Sequence, residues 1–329
     1  IANGTNFNLS TTEIAYLADG WSAINIGRTN AVSPAYIYIG SSTWYDPVTF
    51  YGYDNVVMGA LAGQGDASIK LSGNATNEIQ TGGSITTQGQ NITAVNGFYF
   101  YGPDTSINSN GGNINLSYIG GNIANIGTTN ILSGGGNITI TAMNAGSTTT
   151  GTYNFNAGTG NITFGGSSFN TAANIVANAN AITLGPLWGS TTPLGDVTLN
   201  SVNSISLPSI TTAAGKTVTV NVSGAGNSIT TAGAISAGAA GNIALTADDL
   251  ILGGNLTGTG TLTLQPYSTT RSIRVNYGSG DFNLSTAELA YLVDGWSLIN
   301  MGNVGTTVTD YFGVTAWTDP VNFRSAAGR

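Results

Sequence analysis

Apolar residues alternate with Thr, Ser and Asn along most of this chain, in runs of four to seven positions bounded by Gly or Asn. Clear cases are GGSITTQGQNITAV (82–95), GGNINLSYIGGNIANIG (111–127), GGGNITITAM (134–143), TGNITFGG (159–166), GDVTLNSVNSISL (195–207), GKTVTVNVSG (215–224) and GNIALTADDLILGGNLTGTGTLTLQP (241–266). A period of two places Ile, Val and Leu on one face and hydroxyls and amides on the other, which is the pattern of a half-buried strand. The same phase returns at Ile92, Ile114, Ile138, Ile162 and Ile182, at intervals of 22, 24, 24 and 20 residues. Such intervals belong to repeat architectures.

A sandwich or barrel also carries many short strands, but it favours varied loops and a charged outer face. Here the outer face is nearly uncharged and a Gly-Asn-Ile corner recurs. Stacked windings suit this pattern. With strands about 4.8 Å apart, each winding pairs with its neighbours, and Asn or Thr at equivalent positions can form ladders. Gly and Asn at the corners supply the backbone freedom that a sharp turn needs. The expectation is therefore an all-β stacked-strand solenoid, running through 1–329 as one continuous segment.

One stretch departs from the strand pattern. In FNLSTTEIAYLADGW, Ser10 and Glu13 have the spacing of a capping box, Leu9 is placed as a staple, Ile14 and Leu17 share a face, and Asp19-Gly20 stops the turn. The reading is a two-turn helix over 10–19. A second copy lies at 285–294, with Ser285, Glu288, Leu289, Leu292 and Asp294-Gly295 in the same places. The likeness extends further: residues 6–27 match 281–302 at 16 of 22 positions with an offset of 275, and WYDPVTF (44–50) matches WTDPVNF (317–323) after a two-residue shift. At about 22 residues per winding, this long period corresponds to roughly 12 windings, or about 60 Å. A chain that spans one period and the start of the next is expected to be a window on a longer array.

Composition sharpens this picture. Charged residues make up 7% of the chain, against about 25% in an average soluble domain, so surface polarity must come from Asn, Thr, Ser and backbone. Fifteen acidic against seven basic residues give a net charge of −8, which repels nucleic acid and anionic membrane surfaces. No apolar run approaches the roughly 18 residues of a membrane span. The absence of Cys fits an exported protein, although a cytosolic protein can also lack thiols.

The GGNI-type rungs, the segment LTADDLILGGNLTGTGTLTLQP at 245–266 and the DFNLSTAELAYLVDG block resemble the large filamentous-haemagglutinin-like exoproteins of Gram-negative bacteria, adhesins exported by two-partner secretion. The resemblance covers most of the chain. It implies a right-handed parallel β-helix at the bacterial cell surface or outside the cell. Stacked windings without end caps would expose unpaired backbone at both ends, so the expected partners are further copies of the array, joined covalently or head to tail, with surface glycans and neighbouring filaments as further candidates.

Candidate chemistry is sparse. Without His or Cys, the usual general base, the thiolate nucleophile and most transition-metal sites are lost together. Asp248-Asp249 is an adjacent carboxylate pair, but neighbours in a strand point to opposite faces and do not cooperate; a turn explains them. No GGxGxDxUx calcium repeat occurs, and neither metal nor cofactor is expected. The triplets at Asn91, Asn137, Asn161 and Asn255 are read as corner asparagines ahead of alternating strands, not as glycosylation sites. An ice-binding Thr grid requires regular spacing, which these intervals lack. The aromatic residues Trp21, Trp44, Tyr45, Phe50 and Tyr51, with Tyr36 and Tyr38 among them, gather around the first helical block, and Trp296, Trp317 and Phe323 around the second. They either seal the helix against a winding or stand exposed to stack on sugars or a neighbouring filament. The surface-contact candidates are therefore Trp21, Trp44, Tyr45, Phe50, Trp296, Trp317 and Phe323. Asp46-Pro47 and Asp319-Pro320 are expected to form turns. The reading that follows is a non-catalytic rod segment of a giant adhesin, with a carbohydrate-binding β-helix module as the alternative and a polysaccharide lyase or hydrolase behind it.

Overall fold

The computed structural model describes residues 6–17, 19–27, 36–52, 55–73, 78–81, 83–100, 104–120, 127–144, 151–166, 169–278 and 282–325. It contains two compact units, Ile1–Gly166 and Ser167–Arg329. Each is a stack of short parallel strands forming a β-solenoid. In the first unit one column of strands runs through Ile24–Gly27, Val48–Tyr51, Ile69–Ser72, the start of Ile92–Phe100, Ile114–Gly120, Ile138–Ile140 and Asn161–Phe164, every neighbour parallel. A second column runs from Ser42–Trp44 through Leu61–Gly63, Ile85–Thr86, Ser106–Asn108 and Thr128–Leu132 to Thr152–Asn156. In the second unit the longest column passes through Asn174–Ala179, Val197–Ser201, Thr217–Val222, Asn242–Thr246, Thr261–Gln265, Leu298–Met301 and Val321–Phe323.

Register follows residue type. Ile92, Ile114, Ile138 and Ile162 are mutual partners in successive windings and all are fully buried. Burying such a side chain is worth about 1.5–3 kcal/mol, and a one-residue slip would turn the whole row outward. Just before this row stands an asparagine ladder. The Asn113 N–H donates to Asn91 Oδ1 (2.8 Å), Asn137 N–H to Asn113 Oδ1 (2.9 Å) and Asn161 N–H to Asn137 Oδ1 (3.0 Å), across 22, 24 and 24 residues. Asn91, Asn137 and Asn161 belong to Asn-X-Ser/Thr triplets, and Asn91 and Asn137, with Asn113 between them, serve as inter-winding acceptors. In the second unit Asn178, Asn200 and Asn221 form a ladder through their side-chain amides, at 2.7 and 2.8 Å.

Close approach explains one column of glycines. A Cβ on Gly136 would strike the carbonyl oxygen of Gly112, and one on Gly160 that of Gly136. Here the windings touch backbone to backbone.

The helical inserts are shorter than the two turns expected. Among the described residues only Thr11–Ile14 and Thr286–Leu289 are α-helical, and both capping boxes are present, with Ser10 and Glu13 in one and Ser285 and Glu288 in the other. Beyond them the N–H groups of Tyr16 and Leu17 donate to Glu13 and Ile14, and those of Tyr291 and Leu292 to Glu288 and Leu289. These i→i+3 bonds tighten the turn until Gly20 and Gly295, at φ +118° and +129°, redirect the chain. Only Ile14 of the first helix and no residue of the second is buried, too small an apolar face to hold a second turn. Among the described residues no helix is long and apolar enough to cross a membrane.

Gly136→Ala is expected to destabilise the first unit by about 1–3 kcal/mol through overpacking. Gly165→Ala, whose Cβ would touch nothing closer than Thr163 at 3.9 Å, should cost less than about 0.5 kcal/mol. Chemical denaturation of the two variants checks the contrast.

Candidate surface site at the helical insert

The first insert leaves a groove beside the solenoid. The capping box fixes where the helix begins: Ser10 Oγ accepts from the Glu13 N–H (3.2 Å), while the Ser10 N–H donates to Glu13 Oε2 (2.9 Å). That backbone bond, with the Ser10 hydroxyl behind it, lowers the Glu13 pKa. Ile14 anchors the helix, and between helix and sheet lies a concavity of about 530 Å³. It is lined by Thr11, Ile14, Ala15, Ser41, Ser42, Thr43, Tyr45, Ala60, Leu61, Ala62, Ser84 and Thr86. Seven of these carry a hydroxyl and none carries a charge, so neutral polar recognition is the chemistry on offer. Three windings contribute to its floor, where Thr43, Ala62 and Thr86 are register partners.

The structure divides the predicted aromatic cluster. Trp44 is 2% exposed, Phe50 0% and Trp296 2%, which removes all three as surface contacts. Trp44 lies in register with Gly63 of the next winding and meets Phe50 edge to face at 5.3 Å, while a Cβ on Gly258 would collide with the Trp296 ring. These side chains are large enough to fill a winding and are shielded by glycine-bearing strands. Trp21 (59% exposed) and Tyr45 (49%) do face solvent. Trp317 and Phe323 are half-buried and meet edge to face at 5.9 Å, repeating the Trp44–Phe50 pair. The sealing and surface roles therefore fall to different members of one cluster.

The aspartates of the Asp-Pro pairs tie corners together. The Gly20 N–H donates to Asp46 Oδ1 and the Gly295 N–H to Asp319 Oδ1, both at 3.0 Å. Asp19, Asp46 and Asp66 each bring a carboxylate oxygen within 4.8 Å of the others. Sequence reasoning missed this convergence because the three lie in different windings. Calcium takes about six to eight oxygen ligands; the three aspartates bring one converging oxygen each, and an Asp46 oxygen also accepts the Gly20 N–H.

Asp248 lies in the bend that precedes the strand Asp249–Leu252, so the turn expected at this pair is present and separates the two carboxylates. Asp248 is buried, and accepts from the Gly226 N–H (2.8 Å), the Ser268 N–H (2.7 Å) and the Ser268 hydroxyl (2.8 Å), with Arg271 Nε at 3.7 Å. It is an inter-winding staple. Burial pushes its carboxyl up, but the Gly226 and Ser268 N–H groups, the Ser268 hydroxyl and the Arg271 charge together bring its pKa below the ordinary value. A shallower concavity of about 400 Å³ holds Thr270, Ser272, Arg274, Thr307, Val308, Thr309 and Tyr311, with the Arg274 guanidinium 4.7 Å over the Tyr311 ring.

Comparison of the chain with protein-family models, with curated proteins and with solved structures gives no match.

Trp44→Ala is expected to cost about 3–5 kcal/mol of stability, read by denaturant unfolding; a fully stable variant would show that the ring is not core. Because the folded pKa of Asp248 is depressed, its contribution is complete above the unfolded value of about 3.9 and disappears as pH falls through the folded pKa. Asp248→Asn should therefore lower the thermal midpoint near pH 7 and flatten its decline as pH falls below about 4. Melting curves in which variant and parent decline in parallel would contradict this.

Proposed function

We propose that this chain is a structural segment of a large, secreted or cell-surface bacterial adhesin of the filamentous-haemagglutinin-like kind, and that its work is to span and to assemble, not to catalyse. The observation that carries the reading is the like-on-like register between windings: isoleucine on isoleucine inside and asparagine on asparagine outside. Such stacking can be extended by any number of windings, because each needs only its neighbours. Support also comes from the long internal repeat, which rebuilds the same capping box and the same Asp-to-Gly corner bond in both units. A surface that owes its polarity to amides and hydroxyls, with 7% charged residues, offers little for long-range steering of a charged substrate.

Antibodies raised against the chain should label fibres on the outside of intact cells, and the denatured native polypeptide should run far above 33.3 kDa. A compact cytoplasmic subunit of that mass would overturn the proposal, as would release of new reducing ends from polysaccharides by the purified chain.

A further inference from the structure

The groove at the first helical insert has the chemistry of a saccharide site, and we propose that it binds a neutral glycan chain. The groove denies a ligand several kinds of contact. Its backbone groups are spent along the stacking direction: the Ser42 N–H donates to the Ala60 carbonyl at 2.9 Å, the Leu61 N–H to the Ser84 carbonyl at 2.9 Å, and the Ala60 N–H to Ser41 Oγ at 3.2 Å. A peptide adding itself as a strand finds no free edge here. None of the lining residues is ionisable in the physiological range, so nothing fixes a phosphate, sulfate or carboxylate, and the chain's net charge of −8 opposes one. A wholly apolar ligand would strip water from the lining hydroxyls without replacing their hydrogen bonds.

A neutral pyranose meets each of these conditions. Its hydroxyls pair with Ser and Thr, which donate and accept, and its C–H face stacks on a half-exposed aromatic ring, here Tyr45. The floor suits a flat ring. Thr43, Ala62 and Thr86 form one outward row across three windings, and the small side chain at Ala62 leaves the middle of the row hollow. The second copy of the insert does not rebuild this lining: in the WTDPVNF match, Thr318 stands where the first copy has Tyr45. The scaffold repeats and the lining does not, so the site is assigned to the first insert alone.

Titration of the isotope-labelled chain with cellopentaose, laminaripentaose, mannopentaose and N-acetylchitopentaose, with pentagalacturonate as the anionic control, tests the inference. At least one neutral pentasaccharide should shift the amide resonances of Thr43, Ala62 and Thr86 saturably. Ala62→Phe, which fills the hollow from the solvent side, and Tyr45→Ala, at an exposed position, should each weaken binding by about tenfold or more. Should Ala62→Phe misfold, Tyr45→Ala still decides the matter. Saturation by none of the four neutral sugars, binding that both variants leave intact, or binding of pentagalacturonate alone would overturn the site. The inference stands apart from the structural role, since a fibre that ignores all five sugars remains a fibre.

Discussion

Hydrogen bonding between one winding and the next constrains everything else in this molecule. Parallel pairing spends the N–H and C=O groups of each strand along the stacking direction, which leaves side chains as the sole means of contact outward and inward. Inward, the space between strands must be filled by residues that repeat in register, as Ile92, Ile114, Ile138 and Ile162 do. At the corners the backbone comes so near its neighbour that only glycine fits, as at Gly112, Gly136 and Gly160.

The same constraint explains a surface almost without charge. Like residues stack on like residues, and a column of identical charges would repel itself at each step of about 4.8 Å. Amides escape this problem because each carries both a donor and an acceptor, so an asparagine column is self-complementary. Net gains of about 1 kcal/mol for each such bond accumulate with the number of windings. Apart from the convergence of Asp19, Asp46 and Asp66, the corner and inter-winding carboxylates act one at a time as acceptors of backbone N–H groups. Asp248 gathers donors from the preceding and following windings, and Asp46 and Asp319 each hold one corner amide.

The two copies of the insert show how surroundings, more than residue identity, assign a role. Trp21 and Trp296 occupy matching positions, yet the first is open to solvent and the second lies against Gly258. Trp44 is closed off by the winding that carries Gly63, whereas Trp317 stays half-buried. An aromatic residue in this motif is thus core or surface according to which winding lies beside it.

Strand alternation, the inward phase of the isoleucines, the capping boxes and the turn at Asp248-Asp249 were all legible in the amino-acid sequence, because each depends on residues close together in the chain or on a short repeated spacing. The length of the helical inserts was not, since it depends on how much apolar face Ile14 and Leu289 can bury against the solenoid. Nor was the split of the aromatic cluster into buried and exposed members. The groove and the Asp19, Asp46 and Asp66 cluster draw residues from several windings whose spacing varies, so no local pattern marks them. Covalent order specified which residues can stack; only the three-dimensional register decided which of them meet, because contacts across windings depend on the total path length between them and not on any one segment.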